Sequence, residues 1–442
     1  MYLYFLIKLI WILFIQTILY YNILCLTINF SIYITINVYL FNINILLSYI
    51  FLWFTLFMIY IYYIILYLLI KKNISNIKYY YIISIFSLIL LFVILIIILD
   101  DFICFIICFE SLFFPICFIS LFFNFNNRFI FAIYYLIIFS SISSILCLII
   151  TIIILFYFNL ININYFNDIC FYDSLYLSIY IWILLFIIFA IKYPIWPLHI
   201  WLPELHVEVN TEMSVMLASI VLKIGFFGIF KFIYLALNNI SIWFLGCIDI
   251  IIIVGIVTLT LQLLYLIDYK KIIAFWSVIH TGIGLVLLWH NDILYIGVLY
   301  LCNLGHIISS GFMFIMIGYM YDNYGLRIFI LLMSFFGLNI WSSLFLLLFL
   351  FNIDFPFMLL FYIDIFVLYG LISLSYIYIY LLFTILVNMF ISTIYIYLCL
   401  SFYTFIWLDK YLRLDITIND CIIYIIIGIF TLLLFFIIYV LI

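Results

Sequence analysis

Long apolar stretches follow one another along almost the whole chain, separated by short polar connections. Most run for about 20 residues or more, the length that an α-helix needs to cross the hydrocarbon core of a bilayer. A backbone inside lipid must satisfy its own hydrogen bonds, so each stretch is expected to form one helix. The pattern predicts an all-α polytopic membrane protein with about fourteen transmembrane helices. We place them at 2–21, 23–41, 45–70, 79–99, 101–123, 129–158, 175–200, 213–236, 241–266, 271–290, 293–320, 330–372, 377–406 and 421–442.

Two predicted spans contain prolines where a regular helix would not. The seventh carries KYPIWP at 192–197, and the twelfth carries NIDFP at 352–356. A proline inside a helix removes a backbone hydrogen bond and clashes with the preceding turn, so both spans are predicted to be broken. Each is the fourth span in a group of five. Broken spans at matching places predict two inverted five-helix repeats with a transport path between them.

This pattern predicts a single transmembrane domain over 1–442. Within it we expect N-terminal helices in 1–78, a first five-helix repeat in 79–236, a second, inverted repeat in 241–406, and a C-terminal helix in 421–442. We also expect no removable targeting segment, because the apolar sequence runs past signal-peptide length with no small-residue cleavage site after it.

Basic residues support this count of crossings. With the twelfth span taken as one broken crossing, the basic residues that lie in connections fall on one side, as the positive-inside bias requires. Lys231, at the end of the eighth span, is the exception and is expected to reach the interface by snorkelling. The residues on the common side are Lys71, Lys72, Lys78, Arg128, Lys270, Lys271, Arg327, Lys410 and Arg413.

The composition excludes several classes of protein. Charged residues make up 7% of the 442 residues, against about 25% in soluble domains. The formal net charge of −4 gives no reason to expect a nucleic-acid partner. The ten cysteines show no CxxC and no Cys/His ligand spacing, so neither a disulfide nor a metal is predicted. The excess of Phe, Tyr, Ile, Leu and Asn indicates an A/T-rich genome, in keeping with an organelle.

Six ionisable residues lie near the middle of predicted spans. A charge at the centre of a bilayer costs roughly 2.5–3.5 kcal/mol even on lenient insertion scales, so such residues are rare unless they are paired or needed. Acids, bases and imidazoles recur in successive spans, which predicts a proton path. The six are Glu110, Lys192, Lys223, His280, His306 and Asp364.

Each of these residues also has a structural interpretation. Glu110 and Lys192 could form an ion pair that only holds helices together. Lys223 lies ten residues into its span with no acidic neighbour in sequence, so a moving partner could switch its charge, which favours function over snorkelling. His280 or His306 alone could simply hydrogen-bond a neighbouring helix. Asp364 follows Pro356 by eight residues in the second half of its broken span.

The polar connection at 201–212 offers secondary candidates in His199, His206 and Glu208. A His and a Glu two residues apart on a helix point to different faces, and no HExxH motif exists. We therefore favour a structural loop or a proton entry over a metal site. The sequence also contains no P-loop, no GxGxxG after a strand and no Ser/His/Asp constellation.

Several motifs together resemble the chain 4 family of NADH:ubiquinone oxidoreductase, respiratory complex I. They cover about residues 100–375 in the family's order. Asn210 and Met213 depart from the family pattern, as does Asp364, where the family carries glutamate. The motifs are FESLFFP (109–115), KYPIWPLHIWLPELHVE (192–208), VLKIGFFG (221–228), DYKKIIAFWSVIH (268–280) and GHIISS (305–310).

The resemblance implies a role for each candidate residue. Glu110 and Lys192 would form a pair in the first repeat, Lys223 would connect this pair to the centre, and the two histidines would continue the relay. Asp364 would lie at the exit of the proton path. The chain itself would bind no NADH, flavin, iron–sulfur cluster, quinone or metal.

On this resemblance the chain is a proton-translocating subunit of an NADH:ubiquinone reductase. Its partners would be the other membrane-arm subunits, especially two sister antiporter-like chains, together with membrane lipids. Its location would be the mitochondrial inner membrane. Two alternatives remain open: a subunit of a cation/proton antiporter, which should show cation-coordinating carboxylates, and a scaffold subunit that pumps nothing.

Overall fold

Helices account for nearly all of the chain that the computed structural model describes. The described residues are 55, 58–66, 68–69, 77–99, 101–123, 127–158, 175–235, 238–288, 293–324, 349, 352, 359–372 and 383–394. The chain divides into two compact units, Met1–Phe57 and Met58–Ile442, and all but one of these residues belong to the second unit. The predicted helices at 2–21, 23–41 and 421–442, and most of the second predicted break, lie outside the described residues.

The helices follow the predicted spans, with changes at several ends. Two π-helical segments, π1 and π2, interrupt one of the spans. In chain order the elements are α1 (Ile77–Ile98), α2 (Phe102–Ser111), α3 (Phe113–Phe123), α4 (Asn127–Phe158), α5 (Leu175–Lys192), α6 (Trp201–Glu208), α7 (Thr211–Met216), π1 (Leu217–Val221), α8 (Leu222–Gly228), π2 (Ile229–Leu235), α9 (Asn238–Leu263), α10 (Tyr269–Leu288), α11 (Ile293–Tyr324), α12 (Leu359–Ile372) and α13 (Phe383–Ile394).

The described part of the chain confirms an all-helical membrane protein. Five of its helical spans are long and apolar enough, by length and composition, to cross a membrane. They differ in what surrounds them. Every residue of the span at 211–233 is buried, whereas α4 is mostly exposed. The span at 211–233 therefore lies at the centre of the protein, and α4 lies at its periphery.

The central span is not a uniform α-helix. From Thr211 to Leu235, α-helical turns alternate with π1 and π2. A π turn widens the helix and shifts backbone carbonyls out of the regular ladder, and such turns are frequent at functional sites. Lys223 lies two residues after the end of π1, and its Nζ atom donates to the carbonyl oxygen of Ala218, within π1, at 3.2 Å. The irregular backbone thus supplies an acceptor to a lysine in the middle of the span.

The first predicted break is confirmed. α5 ends at Lys192, and the chain makes turns until α6 begins at Trp201. Pro194 and Pro197 cannot donate backbone hydrogen bonds, so the helix cannot continue through them. The indole Nε1 of Trp201 donates to the carbonyl of Ile191, at 2.9 Å, and so satisfies one of the carbonyls exposed at the end of α5.

The span predicted at 101–123 matches the apolar span Phe102–Ile119, with one interruption: α2 and α3 meet at Leu112, because Pro115 has no N–H to donate to the carbonyl of Ser111. One local prediction is wrong: the polar stretch predicted as a loop from residue 201 is the helix α6. Lys231, predicted to snorkel, is 7% exposed and donates to the carbonyls of Ile97 and Leu99, at 2.7 and 3.0 Å. A cation is favourable there because these carbonyls lie at the C-terminus of α1.

Gly225 permits the closest approach between the central span and the first break. A Cβ atom at Gly225 would lie 2.5 Å from the backbone nitrogen of Tyr193 and 2.7 Å from its Cβ. Backbone atoms cannot move aside as the end of a flexible side chain can. The glycine therefore sets the spacing between α5 and the helix that carries Lys223.

We predict that Gly225→Ala reduces the amount of folded, assembled protein. Overpacking of this kind costs about 1–3 kcal/mol, which exceeds the ~1 kcal/mol that alanine gains over glycine in a helix. The matched control is Gly311→Ala, because a Cβ there would meet only the Cβ of Ser219, at 4.0 Å. The measurement is the band intensity of each variant on a native gel and its thermal unfolding in detergent. Equal behaviour of the two variants would contradict the packing argument.

Candidate functional site

The structure brings Glu110 and Lys192 into contact. Glu110 lies at the end of α2 and Lys192 at the end of α5, and Lys192 Nζ is 3.3 Å from Glu110 Oε1. The same ammonium donates to the carbonyl oxygen of Phe109, at 2.5 Å, and lies 3.6 Å from the centroid of the Phe109 ring. Lys192 also occupies the negative end of the α5 dipole. Its charge is thus stabilised by a counter-ion, a carbonyl, an aromatic face and a helix terminus.

Two residues of α4 complete the surroundings of Glu110. Ser143 Oγ donates to Glu110 Oε1, at 3.0 Å, and the thiol of Cys147 lies 3.7 Å from the same oxygen. Sequence reasoning missed both, because a serine and a cysteine in a long apolar helix are normally small packing residues. Only the packing of α4 against the first break identifies them as neighbours of the carboxylate.

A small cavity adjoins Lys192. Its lining is almost entirely apolar, apart from Lys192 and Ser140, and it includes Leu217 and Val221 from π1. It offers about 40 Å³ to water, room for one or two molecules. The first break and the π-helical segment therefore border the same space.

The second cluster centres on Lys223. This residue is completely buried, and its Nζ atom lies 2.6 Å from Nδ1 of His306 on α11. Ser310 Oγ approaches the same ring nitrogen at 3.4 Å. The lysine nitrogen thus faces an imidazole nitrogen across one short hydrogen bond. Such a bond can carry a proton from one nitrogen to the other.

His280 extends this cluster toward the second half of the chain. Its ring centroid lies 6.0 Å from that of His306, and it is 3% exposed. The backbone of Asn352, where the second predicted break begins, hydrogen-bonds the ring of His280. Lys223, His306 and His280 therefore form a buried series that leads from the central span to residue 352.

Asp364 lies on α12 and is 6% exposed. α12 packs against both α10 and α11, the helices that carry His280 and His306. The structure thus places the acidic residue on an element adjoining the two histidines. Its assignment as an exit group stays a prediction.

The secondary candidates have different surroundings. His206 is fully buried on α6 and stacks on Phe314, with ring centroids 4.6 Å apart, and neither of its ring nitrogens has a hydrogen-bond partner among the described residues. His199 packs edge-on against Phe275, and Glu208 is half-buried at the end of α6. In the same described part, no group of three or more His, Cys, Asp or Glu side chains could hold a metal ion.

Asp249 is an ionisable residue that sequence reasoning missed. It lies near the middle of α9 and is 4% exposed, and its Oδ1 atom has no hydrogen-bond partner within the described ranges. The signal was present in the sequence, because Asp249 is eight residues into the span predicted at 241–266. It belongs with the six mid-span groups by position.

A comparison with protein families identifies the family of the chain. The family described as NADH:quinone oxidoreductase/Mrp antiporter, transmembrane, matches residues 99–392, about two thirds of the chain. The chain belongs to this family. The matched region contains both clusters, from Glu110 to Asp364, and the resemblance drawn from the motifs is confirmed.

Individual members of the family show how far the similarity extends. NADH-ubiquinone oxidoreductase chain 4 of Acanthamoeba castellanii is 32% identical over 260 residues, 58% of this chain and 51% of the relative. The same chain of Chondrus crispus is 39% identical over 151 residues, 34% and 31% of the two lengths. The chain thus spans about half or less of the length of the curated relatives it matches.

A solved structure supports the fold. A chain of respiratory complex I from Thermus thermophilus with bound NADH superposes with a TM-score of 0.74, covering 88% of this chain and 80% of its own length. Its sequence is 16% identical. At that identity the likeness concerns the fold alone.

We predict that Glu110→Gln destabilises the protein. The substitution leaves the partly buried ammonium of Lys192 without its counter-charge, and removing one partner of a buried pair costs about 3–5 kcal/mol. Because the two side chains are 15% and 20% exposed, we expect a loss near the lower end of that range.

The matched control is Glu204→Gln, which removes the acid from the more exposed Lys271–Glu204 ion pair. Surface pairs contribute only about 0–1 kcal/mol. The midpoint temperature of thermal unfolding of the detergent-solubilised protein should therefore fall much more for Glu110→Gln than for Glu204→Gln. Similar losses in both variants would argue against a special pairing of Glu110 with Lys192.

Proposed function

We propose that this chain is a proton-translocating membrane subunit of an NADH:ubiquinone oxidoreductase, complex I. The observation that carries the proposal is the 2.6 Å contact between Lys223 and His306 inside a fully buried span. A lysine in short contact with an imidazole nitrogen is a group that can give up and regain a proton. The names of the relatives and the order of the motifs support the choice of enzyme.

The proposed mechanism couples the two clusters electrostatically. When Lys192 is paired with Glu110, its field at Lys223 is reduced. When the pair opens, the uncompensated Lys192 charge disfavours a proton on Lys223, which would pass to His306, then to His280 and toward Asp364. Restoring the pair would allow Lys223 to reload. Quinone reduction elsewhere in the complex would supply the signal that opens the pair.

The energies are of compatible size. Moving one charge against 100 mV costs about 2.3 kcal/mol. Two unit charges 4 Å apart interact by about 4 kcal/mol at an effective dielectric constant of 20. The interaction energy of one such charge pair is therefore larger than the work of moving one proton against 100 mV.

The proposal includes the setting of the chain. It would lie in the mitochondrial inner membrane among the other membrane-arm subunits, next to its two sister antiporter-like chains and in contact with lipid. Electron transfer would occur elsewhere in the complex, with no redox centre, cofactor or metal in this chain. The second candidate, a cation/proton antiporter subunit, is favoured only by the family description, which includes such antiporters. The presence of lysines in place of cation-coordinating carboxylates favours the complex I subunit.

The assignment to complex I can be tested on a native gel of the source membranes stained for NADH dehydrogenase activity. We expect peptides of this chain in the active band. Finding it only in bands without that activity would favour the cation/proton antiporter. A dependence of transport on Na⁺ or K⁺ would then test that assignment.

We predict that Lys223→Ala abolishes proton translocation by this subunit while the complex still assembles. The number of protons pumped per NADH oxidised, measured in sealed vesicles, should fall. The matched control is Lys271→Ala, which removes a lysine from an ion pair outside the buried series and should leave the ratio unchanged. An unchanged ratio in Lys223→Ala would identify a scaffold subunit instead.

We further predict that Asp364→Asn impairs proton release more than assembly, because the amide keeps the size of the side chain but cannot carry a proton away. Pumping by vesicles and the amount of complex on a native gel are measured on the same preparation. An equal loss of both would mean that Asp364 has a structural role.

A further inference from the structure

Tyr193 connects the two clusters physically. It follows Lys192 directly and is 1% exposed. Its hydroxyl lies 3.1 Å from Oδ1 of Asn303 on α11 and 3.3 Å from the carbonyl oxygen of Thr281 on α10. One side chain at the first break therefore reaches both helices that carry the relay histidines.

The positions of the two acceptors are significant. Thr281 adjoins His280 in sequence, and Asn303 precedes His306 by one helical turn. The amide nitrogen of Asn303 donates to the carbonyl of Leu299, at 3.1 Å, which leaves Oδ1 to accept from the tyrosine. A movement of the Tyr193 hydroxyl thus acts on the backbone next to one histidine and on the helical turn of the other.

The phenol has one proton and two acceptors. It can donate fully to Asn303, fully to Thr281, or share the proton between them. These are distinct arrangements of the same buried group, and a small displacement of Tyr193 selects between them.

The backbone of Tyr193 is held firmly enough to transmit such a displacement. Its nitrogen and Cβ pack on Gly225, two residues from Lys223, and its ring lies 6.1 Å from that of Phe226. Lys192, on the other side, is fixed by Glu110 and by the carbonyl of Phe109. A change in the Glu110–Lys192 pair therefore moves a residue that is closely packed on the Lys223 helix.

We propose that Tyr193 is a positioning residue that couples the Glu110–Lys192 pair to the His280–His306 pair. The hydrogen bonds to Thr281 and Asn303 orient the two imidazoles relative to Lys223, and their rearrangement accompanies opening of the ion pair. This inference rests on the proposed function, and it adds a mechanical link to the electrostatic one.

The test uses Tyr193→Phe, which removes only the hydroxyl, and Asn303→Leu, which removes one acceptor and leaves Thr281. Both are measured in the assembled complex in sealed vesicles, beside Lys223→Ala. The control is Tyr269→Phe, a buried tyrosine at the start of α10, outside both clusters. Assembly and NADH oxidation with an artificial electron acceptor serve as checks of integrity.

We expect Tyr193→Phe to lower the rate of coupled pumping by about 2–10-fold, the effect of one lost neutral hydrogen bond. The pH profile of pumping should shift by ~0.3–1 unit, since a tenfold change in an equilibrium corresponds to one pH unit. Asn303→Leu should act in the same direction but more weakly. The double variant should resemble Tyr193→Phe alone, because both changes break the same link.

A normal rate and pH profile in Tyr193→Phe, with pumping lost in Lys223→Ala, would overturn the coupling role while leaving the proposed function intact. Retained pumping in Lys223→Ala would instead overturn the proposed function. If Tyr193→Phe fails to assemble, Asn303→Leu decides, and wild-type pumping in that variant would refute the link. Additive effects in the double variant would also count against it.

Discussion

The cost of placing an ammonium group in the middle of a membrane governs the rest of this structure. Lys223 is fully buried, and an uncompensated charge there would cost several kcal/mol. The protein compensates it with the Nδ1 atom of His306 and with a backbone carbonyl beside a π-helical segment. The first contact requires a neighbouring helix to approach closely. The second requires the lysine's own helix to be irregular. The central span and α11 are accordingly the two most completely buried of the membrane-spanning candidates.

The two central lysines are stabilised in different ways. Lys192 has a carboxylate, a carbonyl and an aromatic face, all within 3.6 Å. Among the described residues, Lys223 contacts Nδ1 of His306 and the carbonyl of Ala218. In the proposed mechanism, the first arrangement suits a residue that senses a signal, and the second suits a residue that exchanges a proton.

Part of this arrangement could be predicted from residue types and spacing. Apolar stretches of membrane length predict the helices, and Pro194 and Pro197 predict the first break, because both follow from local chemistry. The kink at Leu112 could have been predicted from Pro115 by the same rule. Asp249 could have been found by counting acids within spans. Ser143 and Tyr193 could not, because their importance depends on which side chain lies opposite them on another helix.

The sequence by itself determined that the described apolar stretches form helices of membrane length, where the seventh span breaks and which ionisable residues lie in apolar surroundings. These properties depend on neighbours a few residues away and on the solvent that surrounds the chain. The tertiary structure contains the Glu110–Lys192 pair that the resemblance implies, and it alone decided that Lys223 contacts His306 and that Tyr193 spans the distance between these clusters. Such contacts join residues 82 to 110 positions apart, and their geometry depends on how helices pack at sites such as Gly225, where a single methyl group would prevent the approach.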